Sequence, residues 1–281
     1  MNVVDTHAHF WDVDSLNYPW IEKGSAFDRS FFLEDYQRAT TNVPIERMVF
    51  VECDAHASDS LAEAEWVSHL AQIDQRIQAI VARTSLMDAN ALATLDALAA
   101  MPLVRGIRDN IQNNPPGFAL EAGFIAGVRE VHRRGLHFEL CLKHHQLAET
   151  IELVRRCPEG NFVLDHCAKP DIKSGRKEPW AKQIEELAAL PNVVCKISGL
   201  VTEADWNHWQ PEEVLWYARV AASEFGSERI MFGSDWPVNE VAGGYARWFQ
   251  LAESLASSWS SADRAKFFQK NAERVYRLTS P

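Results

Sequence analysis

Short, nearly continuous apolar runs alternate along this chain with longer amphipathic ones. The runs at 3–10 (VVDTHAHF), 46–53 (ERMVFVEC), 77–83 (IQAIVAR), 103–109 (LVRGIRD), 136–142 (LHFELCL), 161–167 (NFVLDHC), 192–198 (NVVCKIS) and 229–235 (RIMFGSD) predict eight strands. Several lack the in–out alternation of a half-exposed strand, as expected where both faces are covered. Between them, Ser58–Gln72 carries Leu61, Ala64, Glu65 and Leu70 on helical spacing, and Asn90–Met101 is rich in Ala and Leu, both strong helix formers. Further helices are predicted at 122–134, 146–156, 179–190, 212–225, 243–256 and 261–277. Eight strand-then-helix units in 281 residues predict a (β/α)8 TIM barrel. With no Gly/Ser linker to divide it, the chain reads as a single domain over 1–281. A doubly wound sheet is the competing architecture, but it carries a Gly-rich phosphate loop after its first strand, where this chain has THAHFWD. The first unit is irregular. Trp11, Tyr18, Pro19, Trp20, Phe27, Phe31 and Phe32 predict an aromatic excursion over the barrel mouth, followed by a short helix near 33–40. The segment 16–32 reads either as a lid or as a contact between subunits, and the second would make a homodimer.

Composition narrows the function classes. Hydrophobic residues are 47% and charged residues 24%, as in a globular protein with a substantial core. The net charge of −11 opposes approach to a phosphate backbone, so no nucleic-acid partner is expected. No apolar run approaches the ~18 residues of a membrane span, and Met1–Phe10 lacks the basic start of a signal peptide. Cys53, Cys141, Cys157, Cys167 and Cys195 form no CxxC pair, so neither a disulfide framework nor a cysteine zinc site is expected. Free thiols point to the cytoplasm.

Catalytic side chains of a barrel stand at the C-terminal ends of its strands. Strand one ends in His7 and His9, which share a face and are expected to point into the mouth, with Asp5 deeper on that face. Strand two ends in Glu52 and Asp54, strand four in Arg108 and Asp109, and strand five carries Glu139 and then Lys143. Strand six ends in Asp165 and His166, strand seven in Lys196 and Ser198, and strand eight in Asp235, followed by Trp236 and Pro237. One strand histidine alone is more often a hydrogen-bonded core residue, and Ser-Asp before Trp-Pro also suits a turn or cap. Joint occurrence at strands one, six and eight is what predicts a site of His7, His9, His166 and Asp235. The planar fork of Arg108 suits substrate positioning, with an ion pair to Asp109 or Glu52 as the alternative. Trp11 and Trp236 flank these motifs and offer flat faces on which a substrate ring could stack. His56, His69, His132, His137 and His208 read as structural, and the basic run Lys169–Lys177 as a solvated loop overhanging the mouth.

Five motifs carry a resemblance: VDTHAHFWD (4–12), GIRDNIQ (106–112), LDHCAKPDI (164–172), CKISGLVTEADW (195–206) and MFGSDWPV (231–238). In this order they resemble the amidohydrolase superfamily and, within it, the sugar-lactonase branch of L-fuconolactonase and L-rhamnonolactonase type. The resemblance implies a distorted barrel whose catalytic centre is His7, His9, His166 and Asp235. Two-metal relatives add a bridging lysine or glutamate and a strand-five histidine. Here Arg108 stands at the end of strand four, and strand five carries Glu139 and Cys141 on one face with no histidine at its C-terminal end before His144. The implied cofactor is therefore one divalent metal, Zn²⁺ held by His7, His9 and Asp235, or none, with no organic cofactor. The implied reaction is hydrolysis of a small-molecule lactone, with Asp235 as general base and the imidazoles polarising the carbonyl. A neutral aldonolactone is expected, bound by Arg108, Glu52, Glu139, Trp236, Trp11 and Lys143. The alternatives are a dicarboxylate or aromatic-degradation lactone, a metal-dependent decarboxylase of the same branch, and a non-catalytic sugar-acid binder. All four centre residues being intact argues against the last.

Overall fold

The computed structural model describes residues 2–279. Eight parallel strands follow one another around one sheet in chain order: β1 (Val3–Ala8), β2 (Ile45–Val51), β3 (Ile77–Arg83), β4 (Val104–Arg108), β5 (His137–Leu140), β6 (Phe162–Leu164), β7 (Val193–Ile197) and β8 (Ile230–Phe232). The seam between β8 and β1 closes through two backbone bonds, His9 N to Trp236 O and Asp235 N to His7 O, each 2.8 Å. Three residues of the expected centre thus hold the barrel shut with their main chain. Gly233 is required at this seam, because a Cβ there would lie 2.9 Å from the Cβ of His7. The outer helices are α1 (Leu33–Ala39), α2 (Ser60–Ile73), α3 (Ala91–Ala100), α4 (Ala122–Arg133), α5 (Leu147–Arg156), α6 (Trp180–Ala188), α7 (Pro211–Phe225) and α8 (Gly244–Leu255). The barrel is the expected fold. Small branched side chains, Val4, Val49, Val51, Val81 and Val163, fill the barrel with Met231, while the larger apolar cluster lies between strands and helices.

Most strands are shorter than their patterns predict, β6 and β8 the most. The run 161–167 stops being strand after Leu164, because His166, Cys167, Ala168 and Lys169 all take left-handed conformations, with φ between 47° and 61°. Asp235 does the same at φ 60°. Each such residue costs about 1–2 kcal/mol relative to ordinary backbone, so surrounding structure must hold them there, a pattern that clusters at functional sites.

The predicted C-terminal helix is helical throughout and holds one π-turn: α9 (Ser261–Ala265) runs through it (Lys266–Lys270) into α10 (Asn271–Tyr276). The π-turn lays Phe267 and Phe268 on Phe232 of β8. Asn271 then donates to the carbonyls of Ser227 and Ile230, both at 2.8 Å, and Tyr276 plugs the barrel from beneath. In the aromatic excursion, Trp11 and Phe31 exchange backbone bonds, and Trp11 packs edge-on against Trp20, Phe27 and Phe31. No helix among the described residues is long and apolar enough to cross a membrane. All five cysteines are buried and unpaired.

Candidate active site

The ends of β1, β6 and β8 deliver three imidazoles and one carboxylate to one point. His7 Nε2 and His9 Nε2 are 3.1 Å apart. Asp235 Oδ1 lies 3.3 Å from His9 Nε2, 3.8 Å from His7 Nε2 and 3.9 Å from His166 Nε2. Each ring is oriented from behind. His9 Nδ1 meets the Val51 carbonyl at 2.8 Å. A carbonyl only accepts, so Nδ1 carries a proton and Nε2 faces inward. His166 Nδ1 meets Ser198 Oγ at 2.9 Å. His7 Nδ1 faces both Asp165 Oδ1 and Lys196 Nζ at 3.3 Å.

Burial sets the charges. It holds His7 neutral well below the ordinary histidine range, with the Lys196 charge adding to it, and it lowers His166 to about 4. Burial would raise Asp235, but His166, His9 and His7 outweigh it and hold the carboxyl well below the usual range. The centre is therefore a carboxylate facing imidazoles, two of which, His7 and His166, burial holds neutral. Electron-pair donors so crowded fit a divalent cation: bonds of about 2.0 Å place tetrahedral ligand atoms about 3.3 Å apart, near the spacings of His7, His9 and Asp235. His166 stands close enough to Asp235 to complete the set. The centre is almost fully buried: His7 is 0% exposed, His166 2%, Asp235 4% and His9 6%.

The sequence profile of the amidohydrolase family matches residues 4–278. This chain belongs to the amidohydrolase family. It is similar to L-fucono-1,5-lactonase of Burkholderia ambifaria, 32% identical over 287 residues that span 99% of this chain and 96% of that protein. It is also similar to L-rhamnono-gamma-lactonase of Scheffersomyces stipitis, 22% identical over 338 residues and 98% of each chain. The crystal structure of an amidohydrolase from Burkholderia multivorans with bound zinc superposes with a TM-score of 0.88 at 30% identity, covering 99% of this chain and 100% of that one.

In this amidohydrolase most residues expected to bind substrate are engaged with protein partners, while Arg108 Nη1 lies 3.5 Å from His7 Nε2, beside the centre. Glu52 is fully buried and pairs with Arg108 Nε, while its second oxygen accepts from the Asp54 amide at 2.6 Å. Arg108 also reaches Asp165 Oδ2 at 3.2 Å and the Glu52 carbonyl at 2.6 Å. The ion-pair alternative for Arg108 is thus what the structure contains, with Asp165 as second partner in place of Asp109. Glu139 lies deep in the barrel, bonded to Lys196 Nζ at 2.6 Å and Tyr276 OH at 2.7 Å. Neither carboxylate is free to receive a sugar hydroxyl. Trp11 and Trp236 are buried in the aromatic cluster; Trp11 Nε1 donates to the Arg29 carbonyl, and Trp236 packs among Phe10, Phe31 and Tyr36. They brace the mouth and have no face open for stacking. Lys143 is exposed after β5.

Asp5 is a further correction. Instead of facing the mouth it turns to the helix layer. Its Oδ2 accepts from Tyr36 of α1 and Tyr245 of α8, and its Oδ1 accepts from the amides of His7 and Ser234. A register irregularity between Asp5 and Ala8 breaks the two-residue alternation on which the expectation rested. Conversely, Asp165, Lys196, Ser198 and Gly199 form the immediate support of the centre. All four sit at or just past strand ends, so position alone marked them, but nothing in the sequence shows which ring each one holds. Gly199, at φ +59°, packs so closely on His166 and Asp235 that no side chain fits there.

Proposed function

We propose that this amidohydrolase is a lactone hydrolase that opens a neutral aldonolactone to its hydroxy acid. The observation that carries this reading is the convergence of His7, His9 and His166 on Oδ1 of an ionised Asp235 at the mouth of the barrel. A lactone is an activated ester. Its hydrolysis needs a deprotonated water, stabilised charge on the carbonyl oxygen and a proton for the ring oxygen. Asp235 is the base: Oδ1 faces the imidazoles, while Oδ2 lies against Gly199. As water oxygen bonds to the carbonyl carbon, its proton passes to Asp235, and the same proton is returned to the ring oxygen when the acyl C–O bond breaks. A divalent cation, Zn²⁺ in our reading, held by His7, His9 and Asp235 with His166 alongside, would supply Lewis-acid stabilisation of the carbonyl oxygen. His166 stays neutral at working pH and can turn a nitrogen toward substrate, with Ser198 fixing its ring.

Charge supports a neutral substrate. Arg108 is neutralised by Glu52 and Asp165, and Lys169 has Glu203 as a nearby counter-charge. No unpaired guanidinium is left at the centre to recognise a substrate carboxylate. Five buried, unpaired cysteines support a reducing compartment, and we place the protein in the cytoplasm. The test is a panel of lactones in a pH-indicator assay. Aldonolactones are expected to turn over, and Asp235→Asn to lose about a hundred- to ten-thousandfold in rate while staying folded. Turnover confined to dicarboxylate lactones, or CO₂ release from a carboxylated aromatic acid, would replace this reading.

A further inference from the structure

The opposite end of the barrel holds a feature the reaction does not use. Beneath the starts of β4 to β8, next to the C-terminal segment, lies a cavity of about 320 Å³. Arg105 and Arg229 form its half-buried walls, Arg274 and Arg277 stand exposed at its rim, and His137 is buried in its lining. Among the described residues no Asp or Glu lines it. In a chain with 39 acidic and 28 basic residues, four arginines around one acid-free cavity is an unusual concentration of positive charge.

Their partners are neutral. Arg105 Nε donates to the Tyr276 carbonyl at 3.1 Å and Arg229 to the carbonyls of Ala188 and Leu190 at 2.8 and 3.0 Å. Arg274 donates to the Glu228 carbonyl at 2.6 Å and Arg277 to the Gly135 carbonyl at 3.3 Å. Arg47, at the same end of the barrel, shows the contrast, since Glu46 and Glu273 both pair with it. Backbone bonds orient the four guanidinium groups without cancelling their charge. Arg105 registers the consequence: burial and the charge of Arg277 both lower its pKa. A guanidinium has five N–H donors. Arg105 uses Nε and Nη1 on the Tyr276, Pro102 and Val104 carbonyls, and Arg229 uses Nη1 and Nη2 on those of Leu190, Val193 and Ala188, so the N–H groups left over, with those of Arg274 and Arg277, are the ones that can donate to a carboxylate or phosphate.

We propose that this basal cavity binds a small dianion carrying phosphate or paired carboxylate groups, at a site separate from the catalytic centre. Arg105 and Arg229 supply the inner contacts, and Arg274 and Arg277 close over the outer oxygens. The cavity volume falls at the small end of ligand sites, which suits an ion of this size.

The test is calorimetric titration of the full chain at low ionic strength, with separate arms of inorganic phosphate and succinate against a chloride control. Thermal denaturation in the same solutions gives a second readout. One equivalent is expected to bind, with a melting temperature that rises with anion concentration. Whichever arm binds more tightly identifies the headgroup. The double variant Arg274→Gln/Arg277→Gln, at exposed positions, is expected to weaken binding at least tenfold, since each lost bond to a charged group removes a strong contact. Arg105→Lys, which keeps the charge and loses the fork, is expected to weaken it severalfold. Asp235→Asn, at the other end of the barrel, leaves it unchanged. No binding above the chloride control in either arm, binding that survives the double variant, or binding abolished by Asp235→Asn would each overturn the proposal.

Discussion

Replacing Lys196 by Met tests whether the buried charges beneath the centre act as one unit. Lys196 is fully buried, with Nζ 2.6 Å from Glu139 Oε2, 3.2 Å from Asp165 Oδ1 and 3.3 Å from His7 Nδ1. Methionine fills most of the same volume, so the change is chiefly one of charge. Two buried carboxylates would lose their shared cation. Asp165 would keep Arg108 at 3.2 Å, and Glu139 would keep only Tyr276 at 2.7 Å and His137 at 3.3 Å. Breaking a buried pair by removing one partner costs about 3–5 kcal/mol, because the other charge remains desolvated. At about 2–4 °C per kcal/mol for a chain approaching this size, the melting temperature should fall by roughly 6–20 °C. Denaturation followed by circular dichroism measures it. Adding Glu139→Gln should recover part of the loss, since one stranded charge is then gone, and that non-additivity distinguishes a charge effect from a packing defect. A Lys196→Met variant within about 1 kcal/mol of the parent would refute the reasoning, since it would mean that water reaches these carboxylates.

Other consequences are equally direct. In Gly199→Ala the new Cβ would lie 2.5 Å from His166 Nδ1 and 2.6 Å from Asp235 Oδ2, at a left-handed φ; the protein should fold, lose about 1–2 kcal/mol and lose about a hundredfold in kcat/KM, and unchanged kinetics would show that the rings move aside freely. Ser198→Ala frees His166 Nδ1 from its 2.9 Å partner and should cost roughly ten- to a hundredfold in activity or metal affinity with little change in stability, measured by kinetics and by metal content after dialysis. Burial lifts Asp109 to about 7, above its unfolded value, so its protonated form favours the fold; stability from this group is full below about pH 4 and is lost as pH rises toward 7. Asp109→Asn, which can still accept from the Leu86 amide, should therefore gain on the parent in urea denaturation across that window and level off above it, and a constant difference would contradict the raised value.

Hydrophobic periodicity determined much of this molecule without any coordinates. Nearly continuous Val/Ile/Phe runs alternating with amphipathic stretches specify strands covered on both faces by helices, and the barrel and its order follow from that local pattern. The placement of His7, His9, His166 and Asp235 at strand ends was legible for the same reason, because in a parallel barrel all C-terminal ends lie on one side. The fate of the other polar strand residues was not. Glu52 and Arg108 are 56 positions apart, and Glu139 and Tyr276 are 137 apart. Whether a strand-end carboxylate is free for substrate or consumed internally depends on what crosses the barrel to meet it, which no local window contains. Asp5 changed sides through one register irregularity in β1, and the expected C-terminal helix carries a π-turn before Tyr276 enters the barrel floor. Periodicity is a property of a few adjacent residues and survives in the sequence. Charge compensation in a low-dielectric interior is decided by distance through space, and only the closed tertiary structure sets that distance.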